Sequence, residues 1–215
     1  MAPDALQVGF VVQNVFGKLF TNNFEVPQVE HILLRVESAP GRKSYVIESA
    51  WLEKGEATPG EDLKVRVLLR PYRGEPHIEE TRVHVPDQIT RGTTLRLLVS
   101  DAEWLNRASR GFNFTGMPGV GLGSAGGPEG LDQLIGLMNR ERRNDRLYVG
   151  LFMPAPTLVW DDKELPNAPL SEINLIDHRP TPGSVQVLRE SLASEASVPM
   201  GGPVSGLISL NLQIR

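Results

Sequence analysis

The 215-residue sequence contains no cysteine, which excludes disulfides and thiolate metal sites. The compartment stays open, because exported and cytosolic chains alike do without cysteine. No run of about 18 apolar residues occurs, so by length no segment reads as a membrane-spanning helix. The opening residues, MAPDALQVGF, lack a charged n-region and an apolar stretch of signal-peptide length. Export would therefore call for a signal that this sequence no longer carries. Aromatic residues make up only 6%, too sparse for a nucleic-acid stacking platform, and the net charge of −4 gives no general attraction to nucleic acid or anionic lipid.

Glycine and proline are plentiful, at 21 and 17 residues, which favours many short elements joined by turns over long helices. A hydrophobic share of 40% is that of an ordinary folded chain, able to bury a core as one large domain or two small ones. The first hundred residues carry a period of two. In DLKVRVLL, Leu63, Val65, Val67 and Leu69 share one face, with Lys64, Arg66 and Arg70 on the other. That is the pattern of a half-buried strand. It returns in ETRVHVP and in TTLRLLVSD, and VEHILLRVES and SYVIESAWLE are further candidates. Turns at SAPGRK, ATPGED, RGEPH and TRG separate them. One-faced strands at this spacing predict an antiparallel β-sandwich of Ig-like type over residues 25–101, behind an N-terminal segment, 1–24.

The period then changes. DAEWLNRAS reads as a short helix with Asp101 as its N-cap, and residues 111–130 read as a glycine-rich loop. The stretch LDQLIGLMNRERRND carries a helical stripe of Leu131, Leu134, Ile135 and Met138, and it is the one clear helix of a smaller α+β module, 131–215. That module packs on the sandwich or completes it, with residues 102–130 between the two. Strands are expected in DRLYVGLFMP, PTLVWDD, SVQVLRESLASEASVP and GLISLNLQIR.

No motif resolves into a catalytic or cofactor site. Gly121, Gly123 and Gly126 fit G-x-G-x-x-G, and Asp145 lies downstream, but FNFTGMPGV is not the buried strand that a dinucleotide fold requires there. Ser124 lacks the glycine two residues before it that a nucleophile elbow needs, since Leu122 stands there. His31, His77, His84 and His178 are scattered, without the spacing of metal ligands. The adjacent acids Glu79–Glu80 and Asp161–Asp162 point to opposite faces if extended. Arg140, Arg142, Arg143 and Arg146 form a candidate interaction surface for phosphate or a carboxylate partner, or alternatively a favourable helix end. No cofactor is expected.

Five stretches, PGEDLKVRVLLRPYRGEP, TRVHVPDQITRGTTLRLLVSDAEWLNR, LDQLIGLMNRERRNDRLYVGLF, ELPNAPLSEINLI and GLISLNLQIR, resemble in order and spacing the C-terminal region of acidobacterial SpoIVB-type peptidase-like proteins. The resemblance runs from about residue 25 to residue 215. It implies an upstream serine peptidase-like domain behind an export signal, and a periplasmic or surface location. The family's serine signature is not matched, because Gly123, Ser124 and Gly126-Gly127-Pro128 give only GSAGGP. No catalytic residue carries over. The expectation is a non-catalytic module that contacts a protein partner, the upstream domain or the envelope. Two alternatives stand beside it. One is a hydrolase assembled from Ser124, His77 or His178, and Asp145. The other is a carbohydrate-binding sandwich using Trp51, Trp104 or Trp160, each of which sits in an apolar run that also suits core packing.

Overall fold

The computed structural model describes residues 3–35, 41, 43–109, 130–139, 141–154, 157–160, 163–166, 185–188 and 190–215. The chain is mostly β. Helix α1 (Pro3–Phe20) comes first, followed by β1 (Tyr45–Leu52), β2 (Glu56–Ala57), β3 (Asp62–Pro71), β4 (His77–His84) and β5 (Thr94–Ser100). Helices α2 (Ala102–Ser109) and α3 (Leu131–Asn139) precede β6 (Arg146–Met153), β7 (Thr157–Trp160), β8 (Lys163–Pro166) and β9 (Val185–Leu188). The last strands are β10 (Ser191–Pro199), β11 (Val204–Ser205) and β12 (Leu207–Ile214).

Two larger sheets carry the core. The first has the order β11-β1-β3-β4 and the second β10-β6-β5-β12-β2, and a separate small sheet runs β8-β7-β9. The alternation in β3 buries Leu63, Val65, Val67 and Leu69. They meet Ile47 and Val83 from the same sheet, and Leu95, Leu97, Val99, Leu147, Val149, Leu151, Leu212 and Ile214 from the second. Each such side chain, fully buried, contributes about 1.5–3 kcal/mol of hydrophobic stabilisation. Strand β5 lies between β6 and β12, so residues far apart in sequence complete one sheet.

The last strand serves both sheets. β11 pairs in parallel with β1 and, one residue later, β12 pairs antiparallel with β5. The corner is Gly206, at φ +126°, a conformation that side chains avoid. A Cβ there would also stand 3.0 Å from the Ile47 side chain. The second sheet's outer face is covered by α2. Leu105, Ala102 and Ala108 pack on Leu98, Tyr148 and Phe152. Gly150 leaves room for this approach, since a Cβ on it would lie 2.7 Å from Leu105 Cδ1.

Three elements differ from the sequence expectation. α1 lies in the N-terminal segment for which no element is expected above, although Val8, Val11, Val12, Val15, Phe16 and Leu19 keep the three- and four-residue spacing of a helix. It begins at Pro3, whose fixed φ suits a first helical position, and carries a stacked Phe16–Phe20 pair 6.0 Å apart. Beyond it, the Asn22 side chain turns the chain by accepting from the backbone N–H groups of Phe24 (2.8 Å) and Glu25 (3.0 Å). In VEHILLRVES, residues 29–35 form no strand, and 36–38 lie outside the described residues. The helix expected to run on from Leu131 is short, ending at Asn139. Asp101, by contrast, caps α2 as expected, its Oδ1 accepting from Trp104 N at 2.9 Å.

Candidate interaction surfaces

The arginines of the sequence separate into different environments. Arg140 lies outside the described residues. Arg142, beyond the end of α3, donates from Nε and Nη2 to the Glu195 carboxylate on β10, at 3.1 and 2.7 Å. Its Nη1 donates to Asn106 Oδ1 (2.6 Å) and Ser109 Oγ (3.2 Å) of α2. One planar guanidinium thus ties helix to edge strand, a geometry suited to arginine's fixed fork of donors. Arg143 pairs with Asp145, Nη2 to Oδ2 at 2.5 Å, and this hydrogen bond holds the Asp145 carboxyl below the usual aspartate range. Arg146 reaches Ser197 Oγ at 3.1 Å. Tyr148, whose hydroxyl donates to the Arg143 carbonyl at 3.0 Å, is pushed up by burial.

The catalytic candidates do not converge among the described residues. Ser124, His178, the glycines 121, 123 and 126, and Asp161–Asp162 fall outside them. His31 belongs to the exposed stretch after α1. His77 Nε2 stands 3.4 Å from Glu79 Oε1, with the Tyr45 ring edge-on at 6.0 Å, whereas Asp145 is occupied by Arg143. His84 Nδ1 lies 2.9 Å from Asp62 on an exposed face. No group of three potential metal ligands occurs among the described residues. A shallow depression of about 590 Å³ beside β2 is lined by Lys54, Glu56, Glu61 and Arg215. There Lys54 pairs with Glu61 and Arg215 with Glu56.

Two surfaces remain. One is the outward face of the first sheet. Glu48 is an extra residue in β1, between the pairs Ile47↔Leu69 and Ser49↔Leu68. This bulge reverses the phase of the strand. Ala50 and Leu52 turn inward, and Trp51 is set outward opposite Arg66. Beside them Glu80 accepts from Lys64 (2.6 Å) and Arg66 Nε (2.7 Å), and these two hydrogen bonds lower its pKa, Lys64 contributing most. Leu68 and Ile78 lie opposite each other one row along. Of the other tryptophans, Trp104 is on α2 with the Arg107 guanidinium 5.1 Å over its ring, and Trp160 lies in β7.

The second surface is the N-terminal arm, α1 and the extended residues through Arg35. It touches α3, and Lys18 Nζ meets Glu141, just beyond that helix, at 3.3 Å. Nine of the fourteen exposed large hydrophobic side chains among the described residues fall between Phe10 and Leu34. Phe10 is 68% exposed, Val26 86% and Leu33 89%. No described helix is long and apolar enough to cross a membrane. Comparison with family models, with curated proteins and with solved structures gives no match.

Proposed function

We propose that this chain is a non-catalytic binding and structural module of an exported SpoIVB-type peptidase-like protein, held in the periplasm or at the cell surface. Its two core sheets are read here as an Ig-like β-sandwich, a reading supported by the single cluster of buried side chains that both supply. The upstream peptidase-like domain is the protein partner, and the N-terminal arm is the element that contacts it.

The observation that carries this reading is the exposure of the arm. Contiguous apolar surface on a soluble domain marks a place that another surface covers, and here it is concentrated in residues 10–34. The β-rich body buries its own apolar faces, so the demand for a partner falls on the arm.

Limited proteolysis tests it. In the isolated chain, cleavage within residues 21–35 should be fast. In the native gene product, followed with an antibody to the β-rich body, the same bonds should be protected. That product should also exceed 23.7 kDa and fractionate with the envelope or periplasm. Equal cleavage rates in the two would remove the arm as the contact, and a cytosolic product of the chain's own size would remove the exported-protein reading.

A further inference from the structure

We propose that residues 28–34 of the arm join the upstream domain by strand addition, pairing along an open edge of one of its sheets with cover on both faces. This inference rests on the arm being the contact, as read above, and names the form that contact takes.

The main chain makes the first demand. Up to Glu25 the chain is held locally, since Asn22 accepts from the Phe24 and Glu25 amides and donates to the Glu25 carbonyl at 3.0 Å. From there to Arg35 it runs without turn or bend. Between Val26 and Leu34 no backbone N–H or C=O has a hydrogen-bond partner among the described residues. Solvent serves these groups in the isolated chain. A partner that covers the neighbouring apolar side chains removes that water, and the main chain must then find protein partners. Docking through side chains alone does not supply them, whereas a sheet edge does.

The side chains make the second demand. In an extended chain Ile32 and Leu34 share one face, and Val29 and Leu33 the other. Ile32 is 63% exposed and Leu33 89%, so apolar surface is open on both sides. That is the make-up of a strand covered on both faces, not of one lying on a surface. A helix over the same residues would gather Val29, Ile32 and Leu33 and leave Leu34 outside the stripe. The β-branched Val29 and Ile32 also favour the extended form. Pro27, with no N–H to give, stands just before the run, where a strand tolerates it. The described strands of this chain do not take residues 28–34 as a neighbour. The edge is therefore assigned to the upstream domain.

Hydrogen exchange in the native gene product and in the isolated chain, resolved to single amides, tests the proposal. Alternate amides between Gln28 and Leu34 should exchange about a hundredfold more slowly in the native product, and those between them at the isolated-chain rate. Ile32→Ser and Leu33→Ser, at exposed residues of opposite parity, should leave the body folded. Each should speed proteolysis of the arm in the native product by about tenfold. An arm protected from protease while its amides exchange as in the isolated chain would overturn strand addition and leave the contact standing. So would slowing of every consecutive amide, the mark of a helix, or a response to only one of the two substitutions. Proteolysis as fast in the native product as in the isolated chain would remove the contact itself, and the strand with it.

Discussion

Asp101 and Gly206 exchange hydrogen bonds across more than a hundred residues of sequence. Asp101 N donates to the Gly206 carbonyl at 3.2 Å, and Gly206 N donates to Asp101 Oδ2 at 3.1 Å. Since Oδ1 caps α2 through Trp104 N, one carboxylate joins the start of a helix to the corner where the last strand passes from one sheet to the other. Asp101→Ala removes the cap and orphans the Gly206 amide together. The expected loss is about 2 kcal/mol, read in urea as a lower midpoint with unchanged slope. Asp101→Asn keeps a side-chain acceptor and should lose less.

Gly150 is expected to resist enlargement. A methyl group there would meet Leu105, Leu192 and Phe152 at 2.7, 3.0 and 3.2 Å. Gly150→Ala should cost about 1–3 kcal/mol by overpacking. Because the clash is chiefly with Leu105, Gly150→Ala combined with Leu105→Ala should be less destabilising than the two single losses summed, a coupling that a double-mutant cycle measures.

The arginines should differ sharply from one another. Arg142→Ala breaks a partly buried fork and should cost about 1–3 kcal/mol, with faster amide exchange in α2. Arg142→Lys should recover little, since an ammonium cannot reproduce the fork. Arg143→Ala removes an exposed, solvent-screened local pair and should leave the urea midpoint essentially unchanged. Equal effects at the two positions would contradict the clasp.

Glu80 and Asp145 should titrate below their usual ranges, Glu80 through its hydrogen bonds from Lys64 and Arg66 and Asp145 through that from Arg143. A folded-state pKa below the unfolded one contributes stability that is fully present above the unfolded value. It is lost as pH falls through the folded value. Stability should therefore decline with acidification below the ordinary carboxylate range, and Lys64→Ala should raise the Glu80 pKa measured by NMR. A Glu80 pKa unchanged in that variant would remove the lysine as its cause.

Much of the β framework could be read from sequence, because β3 and β12 alternate without interruption, whereas β5 alternates only to Leu97 and is buried on both faces beyond it. The Asp101 cap was equally legible, being a local interaction. What escaped depends on partners or on phase. VEHILLR has the composition of a strand, but composition does not provide a neighbouring edge, and residues 29–35 form no strand. Trp51 sits in an apolar run that suggests core, and a single inserted residue, invisible to a two-residue period, turns it to solvent. The arginine cluster was visible as residues, whereas its division was not, since Glu195 lies fifty-three positions beyond Arg142. The outward face of the first sheet was likewise legible only as alternating charges. Its grouping around Trp51 required the register.

The passage of the final strand through Gly206 also bears on how the protein is made. A chain emerging from the ribosome completes β5 long before β12, its partner, has been synthesised. Until then one flank of β5 is an open row of backbone donors and acceptors, and the apolar side chains that later meet Leu212 and Ile214 lack that cover. Closure of the core is thus a late, long-range event, slow by topology. Nascent chains stalled before residue 207 should be the species most in need of a chaperone.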